Sequence, residues 1–320
     1  MSEETFKPAW WLRNPHLQTL WPTLCRPAIK NLPLQHERFE LPDGDFVDLN
    51  WVGAGTGPIV LLLHGFEGSI ESHYAKGMLQ VIKQNGWRGV FMHFRGCSGE
   101  PNRLPKSYHS GETGDVHTVM AALRQREPDT RFAAVGFSLG GNVLLKWLGE
   151  TGNDNFLSAA VAVSVPFELH NSATRIGQGF SQLYQWYFLK CLRDRLEDKF
   201  QKVPPQINYP PLSELRTIKD FDDKITAPLH GFNGVHDYYN KSSSRQYLKN
   251  IRVPTLLLNA KDDPFMTEDV IPRPQELSPA VKLEVTEAGG HVGFVAGNFP
   301  WRPEYWLEKR VPRFLQENLL

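Results

Sequence analysis

The sequence predicts an α/β protein: a mostly parallel central sheet of about eight strands, flanked by helices and carrying a helical cap. Three observations lead there. Short continuous apolar runs such as "PIVLLLHG" (58–65) and "FAAVGFS" (132–138) have the character of strands buried on both faces. Segments of helical periodicity alternate with them, the order that builds parallel sheets. From about 168 to 250 the alternation stops and then resumes, so this stretch reads as a helical insert within a single domain spanning 1–320.

The first strands form a hairpin, "RFELPDGDFVDLNWVG" (38–53), turning at Asp43-Gly44. After the strand at 58–65, residues 72–86 read as a helix that closes on Gly86. A strand at 89–96, a helix at 115–127, the strand at 132–138, a helix at 141–150 and a strand at 159–165 follow. Within the insert, Phe180, Leu183, Tyr184, Tyr187, Phe188, Cys191 and Leu192 recur at the spacing of one helix face. A proline-rich connector and a second helix over 236–251 complete the insert. Strands are expected at 253–263 and 281–291, and a last helix from about Arg302.

Composition excludes several classes. Lys plus Arg equal Asp plus Glu at 35 each, so no net charge draws the chain to nucleic acid or to an anionic membrane. The opening "MSEETFKPAWWLRNPHLQTLWP" begins acidic and is broken by charge and proline, unlike a signal peptide. No apolar run reaches spanning length, so no stable membrane insertion is expected. Trp10, Trp11 and Trp21 are read as packed against the body. Cys25, Cys97 and Cys191 are widely spaced and include no C-x-x-C pair, which suits a reducing, cytoplasmic location.

The chemistry concentrates in "AVGFSLGGN" (134–142). Gly136-Phe137-Ser138-Leu139-Gly140 fits G-x-S-x-G, and it falls where a buried strand gives way to a helix. That is the place a nucleophile elbow requires. Small neighbours let the backbone turn sharply and present the Ser138 hydroxyl above the sheet, at a helix N-terminus that favours an adjacent anion. A serine needs a base, itself oriented by an acid, and in this arrangement acid and then histidine follow the serine in the chain. His291, in "EAGGHVGF", follows the last strand on a glycine-rich loop; the other ten histidines precede Ser138 or lie in the insert. The acid follows the strand ending near Asn259. Asp262 and Asp263 are both available there, and counting three residues from Asn259 favours Asp262. The oxyanion donors are expected to be the backbone N–H groups of Leu139 and of Phe66, in "HGFEGS". In the cap, Tyr184, Tyr187 and Phe188 are expected to line an acyl pocket.

Two other stretches have plainer readings. His109, Glu112, Asp115 and His117 cluster in "YHSGETGDVH" but lack the H-E-x-x-H arrangement, so this is read as a structured loop and helix start and no metal is expected. "FRGCSGEPNR" lacks the spacing of a phosphate loop, and no histidine follows Cys97 in the role a thiol nucleophile needs.

Motifs spread from about residue 13 to 300 carry a wider likeness. "RNPHLQTLWP", "LPDGDFVDL", "HGFEGS", "HFRGCSGEPNR", "YHSGET", "GFSLGGN", "FDDKITAPLHGF", "NAKDDPF" and "GGHVGF" resemble the YheT-like branch of the α/β-hydrolase superfamily. That branch is related to eukaryotic α/β-hydrolase-domain lipases and esterases. The resemblance implies a Ser138–Asp262–His291 triad and an ester-hydrolysing activity, but supplies no substrate. The triad is expected to cleave a small-molecule carboxylic ester of short to medium, possibly lipid-like, acyl chain through an acyl-enzyme, without a cofactor. A thioesterase or amidase with the same triad, or a binding module on the same fold, are the alternatives.

Overall fold

In the computed structural model, which describes residues 5–319, helix α1 (Pro15–Cys25) precedes a hairpin of β1 (Gln35–Glu40) and β2 (Phe46–Val52). Alternating units follow: β3 (Ile59–Leu63), α2 (Ala75–Gln84), β4 (Arg88–Met92), α3 (Gly114–Arg126), β5 (Phe132–Phe137), α4 (Leu139–Thr151) and β6 (Ala159–Val163). The helical stretch comprises α5 (Leu169–Ile176), α6 (Gln182–Lys202), α7 (Ile218–Phe221), a π turn over Asp222–Thr226, α8 (Ala227–Leu229) and α9 (Val235–Ser242). Then come β7 (Thr255–Ala260), β8 (Val281–Thr286), a hairpin of β9 (Val295–Phe299) and β10 (Arg302–Tyr305), and α10 (Leu307–Leu319).

The eight-stranded sheet has the order β1-β2-β4-β3-β5-β6-β7-β8. β2 pairs antiparallel with β1 and β4, and all pairs from β4 to β8 are parallel. Every residue of β3, β5, β6 and β7 is buried, because helices cover both faces. The pleat divides them: Leu61 packs with Val119 and Leu144 on the α3–α4 side, while Val60 and Leu62 pack with Leu79 and Leu315 on the α2–α10 side.

Several boundaries differ from expectation. The strands expected at 89–96, 159–165 and 281–291 stop at Met92, Val163 and Thr286, and their remaining residues form loops beyond the carboxyl end of the sheet. The last helix starts at Leu307, because Arg302–Tyr305 pairs antiparallel with Val295–Phe299 instead. The second cap helix ends at Ser242, where Ser243 turns extended and a 3₁₀ stretch takes over. The side chain of Asn142 in α4 fixes that break: it donates to Ser110 O and Ser242 O and accepts from Ser244 N–H. The face expected on α6 is also split. Tyr184 is buried with Leu189 and Leu196, whereas Phe180, Leu183 and Tyr187 are over half exposed.

Candidate active site

Strand register brings the site together. β3 and β5 are neighbours, with Leu63 opposite Gly136, so the loop after β3 lies beside the turn after β5. Ser138 occupies that turn with φ 52 and ψ −120, a conformation most residues avoid. Its N–H is tied to Val163 O at 2.8 Å, and its C=O accepts from Asn142 N–H. The glycines around it answer to space. A Cβ on Gly140 would stand 2.4 Å from His64 O, and one on Gly136 would stand 2.5 Å from Gly140 O. Strand, elbow and helix can close this tightly only without those side chains.

The Ser138 hydroxyl lies 2.8 Å from His291 Nε2, and His291 Nδ1 lies 2.8 Å from Asp263 Oδ2. The expected aspartate, Asp262, does not face the histidine; its Oδ1 accepts from Gly290 N–H at 2.9 Å and so holds the histidine's loop. The miscount has a plain cause. β7 runs one residue past Asn259, to Ala260, which pairs with Thr286, so three residues beyond the strand is Asp263. Asp263 is buried, and its second oxygen accepts from Phe265 N–H, which fixes the carboxylate plane. With the acid on Nδ1, the imidazole proton stays there and Nε2 is left to accept from serine. The Phe265 ring stacks on the imidazole at 4.1 Å.

The histidine loop leans on α1, a helix not anticipated from the sequence. His291 N–H donates to Thr19 Oγ1 at 2.9 Å, and the Gln18 amide binds both Val295 N–H and Val295 O. Gly290, at φ 59, leaves no room for a Cβ, which would meet Pro15 O at 2.6 Å. On the other side Ser164 Oγ accepts from Val292 N–H. The signal for α1 was present in Asn14-Pro15: Asn14 Oδ1 accepts from the N–H groups of His16 and Leu17, with proline at the first helical position.

The loop after β3 is held as firmly. Buried His64 accepts from Phe94 N–H on Nε2 and donates from Nδ1 to Gly65 O at 2.7 Å. Burial pulls its pKa down to about 3, so it is neutral. Gly65 N–H donates to Tyr74 OH at 2.8 Å. Glu67, at φ 53, is clamped by Tyr108 OH and pairs with Arg195 of α6 at 3.0 Å. Between these anchors the Phe66 N–H has no acceptor among the described residues, and neither has that of Leu139 at the start of α4. His64, Tyr74 and the α1 residues were not singled out from sequence, since their role depends on contacts across the fold.

A cavity of about 660 Å³ opens above Ser138 and His291, walled by α1, the 65–74 loop, α5 and α6. Tyr184, Tyr187 and Phe188 line it, together with Phe66, Phe265 and Ile176. Its carboxylates include Asp222, in the π turn, where burial raises the pKa to about 6 although Tyr239 OH and Thr226 Oγ1 donate to it.

Outside this cavity, His109 and Glu112 meet His230 of the cap, with one potential ligand atom each within 4.8 Å of the others. His109 Nδ1 accepts from Gly111 N–H, which puts the ring proton on Nε2 toward Glu112 at 3.4 Å. That proton occupies the electron pair a cation would need. Glu112 also accepts from Gly114 N–H at the start of α3. Asp115 instead binds Arg95 in a two-pronged pair, and His117 faces Trp147. Cys97 is buried against Arg195, and burial pushes its thiol up to about 12.

A sequence profile described as alpha/beta hydrolase fold matches residues 58–297. The Escherichia coli protein named "Putative esterase YheT" is 45% identical over 98% of this chain and 94% of its own. The Bos taurus protein named phospholipase ABHD3 is 31% identical over 98% of this chain and 78% of its own. Among solved structures, the Pyrococcus furiosus esterase Pf2001 superposes with a TM-score of 0.60 at 19% identity, covering 90% of this chain and 94% of that one.

Proposed function

Since the chain belongs to the α/β-hydrolase family, we propose that it is a serine hydrolase that cleaves carboxylic esters through an acyl-enzyme on Ser138. The observation that carries this is the Ser138–His291–Asp263 relay, two 2.8 Å contacts at the floor of an apolar cavity. His291 takes the Ser138 proton as Oγ attacks the ester carbonyl. The oxyanion meets the Phe66 and Leu139 N–H groups at the positive end of α4. His291 returns the proton to the leaving alcohol, and water then repeats the attack with the same base.

Tyr184, Tyr187 and Phe188 form the wall against which the acyl chain is bound, so the helical stretch of 168–250 acts as a cap that selects substrates. The names of the relatives, phospholipase and esterase, favour a lipid-like ester over a polar one. Three unpaired cysteines support a cytoplasmic location.

A fluorophosphonate probe should label the wild type and leave Ser138→Ala unlabelled. p-Nitrophenyl esters of increasing chain length should show kcat/KM rising with length until the cavity is full. Labelling of the Ser138→Ala protein at the wild-type level would remove Ser138 from the mechanism.

A further inference from the structure

The chain is neutral overall, yet its surface is not uniform. Among the described residues, the large apolar side chains left exposed are Trp10 in the N-terminal arm, Leu17 and Leu24 on α1, Phe180 in the turn before α6, Leu183, Trp186 and Tyr187 on α6, and Phe299 and Trp301 in the β9–β10 hairpin. Helices α2, α3, α4 and α10 expose none among the described residues.

These elements are joined. Trp10 Nε1 donates to Asn298 O and Trp11 Nε1 to Gly297 O, tying the arm to the hairpin. The Trp11 ring packs on Trp21 of α1 at 4.9 Å, and His16 of α1 meets the Phe180 ring at 4.5 Å and Tyr184 OH at 3.2 Å. Trp11 and Trp21 are thus packed on the body, as anticipated, but Trp10 is 65% exposed. Both α1 and α6 wall the cavity, and Tyr187 is at once exposed and a cavity residue, so the apolar surface of α6 reaches the cavity.

Charge follows the same division. Residues 5–36, 169–193 and 288–303 contain no Asp or Glu but hold Lys7, Arg13, Arg26, Lys30, Arg175, Lys190, Arg193 and Arg302. Arg26 pairs with Glu308 and Lys190 with Asp194. Lys7, Arg13, Lys30 and Arg302 are exposed and pair with no carboxylate among the described residues. A tryptophan-rich apolar surface bordered by exposed cations fits the interface of an anionic bilayer, where aromatic rings settle at headgroup depth and cations meet phosphates. It does not fit a second copy of this chain as well, since two such faces would bring like charges together.

We propose that this face docks reversibly on an anionic lipid surface, placing the cavity entrance against the lipid. The docking is independent of the ester-hydrolase reading, because both the binding and the fold control are measured without turnover. The test is co-sedimentation of the full chain with phosphatidylcholine vesicles, with and without phosphatidylglycerol. Binding should require phosphatidylglycerol, weaken with salt and shift tryptophan emission to the blue. Leu24→Ser/Trp186→Ser/Trp301→Ser should weaken it by at least about tenfold, with a cooperative thermal melt near the wild-type temperature as the sign of an intact fold. Each of Lys7→Gln, Arg13→Gln, Lys30→Gln and Arg302→Gln should weaken it about fivefold at low salt. Failure to bind either vesicle, or binding that the serine variant leaves intact, would overturn the proposal. A dimer in solution that the serine variant converts to monomer would equally overturn it, by giving the face to a second copy.

Discussion

Replacing Asp263 by Asn changes one atom of the site and should disable it. In the native protein both carboxylate oxygens are engaged, Oδ2 by His291 Nδ1 at 2.8 Å and Oδ1 by Phe265 N–H at 2.9 Å. An asparagine keeps its carbonyl on the Phe265 N–H, which turns its NH₂ toward Nδ1. The imidazole must then accept at Nδ1 and carry its proton on Nε2, facing Ser138 with no electron pair to offer. A wrong tautomer of this kind costs about 10⁴ in kcat, or roughly 5 kcal/mol of barrier. Asp262→Asn is the matched control: its carbonyl still accepts from Gly290 N–H. Exchanging a charged for a neutral acceptor there costs about 1 kcal/mol, so the loss should stay under about tenfold. Steady-state hydrolysis of a p-nitrophenyl ester reads both, with thermal melting to show that each variant is folded. If Asp262→Asn proves the more damaging, the relay drawn through Asp263 is wrong.

Ser138→Ala should lower kcat by about 10⁴ or more and leave the melting temperature near the wild-type value, since its hydroxyl adds little to packing. Gly140→Ala should destabilise by about 1–3 kcal/mol or more, because the new Cβ meets two backbone oxygens, at 2.4 and 2.6 Å; chemical denaturation measures this. Phe188→Ala should flatten the gain of about 0.8 kcal/mol per methylene in kcat/KM across an ester series. Asp222 supplies a pH test. Its folded pKa is raised from 3.8 to about 6, so the native state holds the proton more tightly, and its contribution, full below pH 3.8, is lost as pH rises through 6. The loss amounts to about 3 kcal/mol. Relative to wild type, Asp222→Asn should therefore gain stability between pH 4 and pH 7; a difference that stays flat with pH would contradict this.

Much of the fold could be read directly, because a strand buried on both faces must be continuously apolar, as β3, β5, β6 and β7 are. Ser138 and His291 could be read because strained turns need small neighbours on either side. The aspartate facing His291 lies one position beyond the expected one, since strand ends are set by pairing: Ala260 stays in the sheet because Thr286 lies opposite it. The β9–β10 hairpin is not legible as strand because Trp301-Arg302-Pro303-Glu304 carries no alternation of buried and exposed apolar residues. Helix α1 was hidden by its own surface: a helix whose apolar residues are partly exposed lacks the one-sided pattern that identifies a core-packed helix.

That helix has a bearing on how the protein is made. Thr19 and Gln18 hold the loop of His291, some 272 residues away for the Thr19 contact. During synthesis α1 leaves the ribosome long before its partners: it can meet Phe180 and Tyr184 once the cap has emerged, and the His291 loop only after β8. The nucleophile turn and the loop after β3 can settle against each other much earlier, since β3 and β5 pair directly. A nascent or C-terminally truncated chain would therefore display an ordered serine without its base. The serine would meet its histidine last, when the His291 loop settles on α1.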